Sequence, residues 1–307
     1  MRKTCLNMVY ELARKDPRVL FIGSDLGPGT LDRFRQEMPD RFFMEGVYEG
    51  HVVGMAAGLA MEGFIPYVNT IASFLTRRCF EQVVLDLCWQ NLPVRLIGNG
   101  GGLVYAPLGL THMAIEDIAI FRALPNMTVV VPSDAEEMRR FMERSIDLPG
   151  PVYIRLGKGG DPVISRDENG FTIGRGILLK EPGRVLFITT GVMTGRVLQS
   201  TDILDGQGIT AGVLHVHTVK PLDEDQIACL GERVEAVVTV EEHVLMGGLG
   251  SAVGELLIDR GGRVPKMLRL GLPDRFPERY GRQDDLLEFY GLQPEPIARS
   301  VSDFMAR

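Results

Sequence analysis

The sequence predicts an α/β protein built of two consecutive α/β domains with largely parallel sheets. Three observations carry this. Short apolar runs of strand length alternate with amphipathic helical stretches, the pattern of a parallel sheet covered by helices. A stretch rich in Gly, Asp and Pro, LGKGGDPVISRDENGFTIGRG (156–176), then interrupts the alternation. After it the alternation restarts and continues almost to the end of the chain.

In the first half the predicted strands are VLFIG (19–23), FIPYV (64–68), VRLIG (94–98), MTVVVP (127–132) and PVYIRL (151–156). The clearest helices are SFLTRRCFEQVVLDLCWQ (73–90) and DAEEMRRFMERSI (134–146). In the second half the strands are RVLFITTG (184–191), ITAGVLHVH (209–217), VEAVVTVEE (234–242) and PKMLRLG (265–271). The expected domains are therefore 1–165 and 180–307, joined by a linker over 166–179. A length of 307 residues suits two domains.

Composition narrows the function. The chain is 45% hydrophobic and 24% charged, which is ordinary for a globular protein. A net charge of −7 without a long basic run argues against nucleic acid or an anionic membrane surface as partner. The opening MRKTCLNMVYELARKDPRV has no signal-peptide h-region, and no apolar run reaches the ~18 residues of a membrane span. Cys5, Cys79, Cys88 and Cys229 are scattered with no C-x-x-C pair. A reduced, cytoplasmic protein without a cysteine-based metal site is expected.

Several familiar motifs do not occur. There is no G-x-x-x-x-G-K-[ST] phosphate loop and no G-x-S-x-G elbow. His215 and His217 in LHVH fall on one strand face, but no acidic or Cys neighbour in sequence completes a metal site; a strand-end or core role is the expectation. VEEHVLMGGLGSAVGE superficially resembles a dinucleotide cradle, yet its spacing is not G-x-G-x-x-G and a tight turn before a helix explains it better. GNGGGLVYAPLGLTH is more informative: a glycine-rich segment follows a strand and leads to a Thr–His pair. Ligands of open α/β sheets bind beyond the carboxyl ends of the strands, which puts His112 near a mouth.

The order Y-E-G-H, G-x-A-A-G-L-A, G-x-x-P-Y, S-F-L, T-H, E-D, R-x-L-P-N-M, P-S-D and Y-I-R-L resembles the transketolase family. It is similar to the pyrimidine-binding and C-terminal domains of transketolase and of 1-deoxyxylulose-5-phosphate synthase, over nearly the whole chain. The resemblance implies a thiamine-diphosphate enzyme that transfers a two-carbon ketol unit. Such enzymes hold the diphosphate through a divalent metal with a G-D-G motif and a later Asn; this sequence contains no G-D-G. The resemblance therefore implies one chain of a split transketolase. Its partner, an N-terminal transketolase subunit, would carry the diphosphate-binding domain and Mg²⁺, and two copies of each chain would form a heterotetramer.

The resemblance also assigns residues. Glu49 matches the Glu that contacts the pyrimidine ring nitrogen, and apolar surroundings suit a carboxyl that shares a proton; the alternative is an acidic residue at a helix N-terminus. Phe74 matches the aromatic that stacks on the pyrimidine, or is a core residue. Asp25 in GSDLGPGT matches an Asp on the thiazolium side, or a turn residue. His51 matches a proton-transfer position, or caps its helix. His112 matches the histidine that faces the sugar, and Arg155 an Arg at the substrate phosphate. Arg77 is a further channel candidate. No metal ligand is expected in this chain.

Three departures bear on substrate. Leu108 stands where transketolases proper have the Asp of D-G-P-T-H, Gly100 where they have a His, and Gly29 where they have a phosphate-contacting Ser. Each lost hydrogen bond costs ~1 kcal/mol, so the resemblance implies a donor or acceptor outside the usual pentose phosphates. Two other readings stand beside this one: the β chain of a 2-oxoacid dehydrogenase, and a scaffold subunit without chemistry.

Overall fold

The computed structural model describes residues 1–24 and 29–307. Among the described residues, twelve strands form two sheets. The first sheet takes β1 (Val19–Gly23), β2 (Phe42–Met44), β3 (Ile65–Ile71), β4 (Arg95–Asn99), β5 (Thr128–Val130) and β6 (Val152–Leu156) from the first half. The second takes β7 (Ile177–Lys180), β8 (Val185–Thr189), β9 (Ala211–His215), β11 (Ala236–Val244) and β12 (Lys266–Leu272). β10 (Thr218–Lys220) lies in the second half of the chain but joins the first sheet.

The first sheet runs β10-β5-β6-β4-β3-β1-β2 and the second β12-β11-β8-β9-β7. All pairings are parallel except β10 with β5 and β7 with β9. The expected two-domain α/β architecture is borne out. Central strands β1, β4, β6, β8 and β9 are buried along their whole length, which is why each reads as a near-continuous apolar run.

One predicted helix differs. The stretch 73–90 is not continuous: a helix over Ala72–Arg77 stops, a short turn covers Phe80–Gln82, and a wider turn of π type follows over Val83–Cys88. Cys79 sits between the pieces, buried, with its Sγ donating to the Leu75 carbonyl at 3.0 Å. Arg78 stands at the break, as the residue that caps the helix over Ala72–Arg77.

The domains are stitched by buried polar contacts as well as by β10. Arg155 at the end of β6 donates to both carboxylate oxygens of Asp117, at 2.8 and 3.1 Å, and to the Glu242 carbonyl in β11 at 3.0 Å. The Glu242 carboxylate accepts from the Leu103 N–H at 2.7 Å and from Gln283. His215 sits between Thr194 (2.7 Å) and Glu137 (2.9 Å), the latter from the other domain. The sequence shows no acidic neighbour for LHVH because Glu137 lies 78 residues away. Among the described residues no group of three or more His, Cys, Asp or Glu is placed to hold a metal ion. The VEEHVLMGGLG segment is a strand, a tight turn with Gly247 at φ +74°, and a helix over Leu249–Asp259 whose first N–H groups are held by Glu241.

Candidate active site

The carboxyl ends of β1, β3 and β4 lie side by side in the first sheet, and the candidate residues sit just beyond such ends. Glu49 opens the helix Glu49–Met61 that follows β2. Phe74 lies in the helix directly after β3, and His112 in the loop after β4.

Glu49 is buried at 1% exposure. Its Oε1 accepts from Thr70 Oγ1 at 3.2 Å, and Thr70 in turn accepts from Ser24 Oγ at 2.5 Å. Its Oε2 accepts from Arg78 Nη1 at 3.2 Å. Neither of these partners is a backbone N–H of its own helix, so the carboxylate is not acting as a helix cap. The surroundings are also less apolar than the sequence implies, because a guanidinium and one hydroxyl, itself backed by a second, reach the group. The buried Cys79 thiol nearby is pushed up to about 12, first by burial and then by the charge of Glu49.

Arg78 does two things at once. Its guanidinium donates to Glu49 and lies 3.6 Å from the centre of the Phe74 ring. A planar cation with N–H donors thus fits between an aromatic face and a buried carboxylate, a geometry of cation–π type. The adjoining cleft has a volume of about 490 Å³ and is lined by Val47, Tyr48, Glu49, Gly50, His51, Arg78 and Gln82.

His112 packs tilted on Phe74 with ring centres 5.2 Å apart. Its Nδ1 is tied to Thr111 Oγ1 at 2.8 Å, and Ser73 Oγ holds the Thr111 carbonyl at 3.0 Å. Tyr105 meets the same imidazole edge-on at 6.4 Å. Glu49, Phe74 and His112 are therefore joined in one chain of contacts, through Arg78 on one side and tilted ring packing on the other.

The other candidates are placed differently. His51 points outward from the first turn of its helix, stacked with Tyr48 and 3.6 Å from Glu45, without a bond to Glu49. Arg77, the channel candidate, is only partly exposed. It spans the His112 loop, donating to Glu116 at 2.5 Å and to the carbonyls of Leu110 and Met113 at 3.0 and 2.9 Å. Arg155 is buried, and its Nε and Nη2 are spent on Asp117, Ala114 and Glu242 rather than on an open anion site. Burial works against its charge, but Asp117 more than offsets this and holds its pKa up. Asp25 lies outside the described residues. Arg78 and Tyr105 are the site residues that the sequence pattern does not single out.

Comparison with known proteins gives a consistent picture. Residues 1–160 match the family described as transketolase, pyrimidine binding domain, and residues 174–297 match transketolase, C-terminal domain. The chain is 38% identical over 309 residues to the 6-deoxy-6-sulfo-D-fructose transketolase subunit SqwH of Clostridium sp. (strain MSTE9), covering 100% of this chain and 95% of the relative. It is 40% identical over 294 residues to the 1-deoxy-D-xylulose-5-phosphate synthase of Caldanaerobacter subterraneus subsp. tengcongensis, covering 95% of this chain but 46% of that enzyme. A solved structure described as a split gene transketolase, inactive beta4 tetramer, superposes with a TM-score of 0.90 at 36% identity, over 98% of this chain and 97% of that one.

Proposed function

The chain belongs to the transketolase family, and from that premise we propose that it is the pyrimidine-side subunit of a split, thiamine-diphosphate-dependent transketolase. Its reaction moves a two-carbon ketol unit from a ketose donor to an aldehyde acceptor. When bound, the cofactor supplies a nucleophilic thiazolium carbon that can accept the ketol unit. The residues of this chain do the rest. Glu49 holds a proton at the pyrimidine ring nitrogen, Phe74 fixes the ring plane, and His112 faces the sugar. Thr70 and Ser24 orient the Glu49 carboxylate.

The single observation that carries this reading is that one flat, N–H-donating group, the Arg78 guanidinium, meets both the Phe74 ring and the buried Glu49 carboxylate, the two contacts an aminopyrimidine would need. The described residues fit the pyrimidine end of the cofactor. The diphosphate end is left to another chain in this reading, because the sequence contains no G-D-G. We assign the diphosphate and Mg²⁺ to a partner chain, an N-terminal transketolase subunit, in a cytoplasmic heterotetramer of two chains each. The SqwH relative, which the chain matches over nearly its full length, supports such a division of labour. A β4 tetramer described as inactive supports the view that the chain needs its partner.

The test is co-expression with a partner carrying G-D-G and Asn, followed by hydrogen–deuterium exchange at the thiazolium carbon of bound thiamine diphosphate. Exchange is expected to be fast in the wild type and to fall by roughly a hundredfold or more in Glu49→Gln. Equally slow exchange in both would leave a scaffold subunit. Ketose phosphates and 6-deoxy-6-sulfo-D-fructose are the donors to screen, and failure of all of them to yield a two-carbon transfer would end the transketolase assignment.

A further inference from the structure

Tyr105 occupies a position that nothing in the proposed chemistry has yet used. Gly100, directly after β4, has φ +76°, a left-handed conformation that favours glycine. A Cβ on Gly100 would meet Cδ2 and Cε2 of Tyr105, both at 2.2 Å. The phenol ring is therefore seated on the bare backbone of Gly100, and the two residues need each other. The Gly100 and Gly101 N–H groups both donate to the Leu156 carbonyl at 3.0 Å, which fixes this seat to the end of β6.

From that seat the ring turns its edge or face to His112, with ring planes 84° apart. Phe74 packs on the same imidazole. With Nδ1 bonded to Thr111, His112 has Nε2 left for a ligand, since no protein partner reaches it among the described residues. Tyr105 is only partly buried, and its hydroxyl makes no protein hydrogen bond among the described residues. Three residues further on, Leu108 is 55% exposed. The same loop thus presents a phenol, an imidazole nitrogen and an apolar side chain.

We propose that Tyr105 is a substrate-positioning residue: its ring sets the orientation of His112, and its hydroxyl bonds a hydroxyl of the ketose chain. This rests on the transketolase reading and names the ligand group its loop recognises, a polyol carbon chain. A neutral hydrogen bond of this kind contributes roughly a three- to tenfold factor in binding.

The experiment uses the assembled complex with cofactor. Tyr105→Phe is expected to raise KM for the ketose donor by roughly three- to tenfold, with kcat and thiazolium exchange unchanged. Tyr105→Ala should lower kcat as well, because His112 loses one of its two aromatic neighbours. An unchanged KM in Tyr105→Phe overturns the hydroxyl contact. In the full-length chain alone, the His112 Cε1–H proton resonance should shift on Tyr105→Leu; an unmoved resonance overturns the positioning of His112. If wild-type complex exchanges the thiazolium proton but turns over no ketose, the transketolase reading fails, and the resonance experiment still decides whether Tyr105 sets His112.

Discussion

Arg78 donates to the buried carboxylate of Glu49 at 3.2 Å while its own side chain remains 47% exposed. The pair is asymmetric. Glu49 is enclosed and depends on its partner; Arg78 can move out to water. Removing Arg78 leaves a buried carboxylate with one hydroxyl donor, which is costly, whereas removing the charge of Glu49 releases a half-solvated guanidinium. Arg78→Met is expected to destabilise the chain by about 1–2 kcal/mol, and the loss should shrink when Glu49→Gln is added. A double-mutant cycle by urea unfolding measures this coupling. Additive effects would mean the contact contributes nothing.

Arg77 illustrates a different dependence. Its fork clamps the loop from Leu110 to Glu116 through two carbonyls and one carboxylate. Arg77→Ala should leave cofactor affinity intact and lower kcat/KM by roughly ten- to a hundredfold, the size expected from misplacing a positioned group. Arg77→Lys keeps the charge but cannot reproduce the planar geometry, so it should recover little. Full recovery in Arg77→Lys would show that charge alone matters there.

The Arg155–Asp117 pair predicts stability rather than activity. Asp117 is fully buried and also accepts from Tyr153 at 2.7 Å. Burial pushes the Tyr153 phenol well up, and the Asp117 charge adds to it, so the phenol stays protonated as a donor. Asp117→Ala would strand a buried guanidinium that also ties β6 to β11, and a loss of about 3–5 kcal/mol in denaturant unfolding is expected. A loss below about 1 kcal/mol would mean that water or Glu242 replaces the carboxylate at little cost.

What was legible in the sequence follows from how local each feature is. The long central strands show as apolar runs because both faces are covered. The short strands β2, β7 and β10 do not show, because three or four residues hold no period, whereas the equally short β5 shows because it lies within the apolar run MTVVVP. Glu49, Phe74 and His112 are far apart in the chain and meet through Arg78 and ring packing. Arg78 is hidden by the apparent continuity of SFLTRRCFEQ; it stands at the end of the helix Ala72–Arg77, and its buried partner Glu49 lies 29 residues away. Arg155 reads as an anion-binding residue on a strand end, but its acidic partner lies 38 residues away and becomes visible only in the folded chain. Tyr105 is one aromatic in a loop until the bare Gly100 beneath it gives it a fixed place.

The buried His217 governs the first stage of acid destabilisation. Burial disfavours the His217 imidazolium, and with His215 and Arg140 nearby it brings the group from 6.5 to about 4 despite the pull of Glu137 and Asp223. The unfolded chain therefore takes up this proton near pH 6.5, while the folded chain waits until about pH 4. The contribution is fully present above pH 6.5 and is lost as pH falls to about 4, a loss on the order of 2–3 kcal/mol. Glu137 acts lower down: burial would raise it, but the charge and hydrogen bond of His215 prevail and hold it at about 2 against an ordinary 4.5. Its contribution is lost between about pH 4.5 and 2. Melting temperature against pH should thus decline in two stages. His217→Gln, which cannot take up a proton, should flatten the upper stage and leave the lower one. Parallel curves for wild type and His217→Gln between pH 7 and 4 would place the upper stage elsewhere in the molecule.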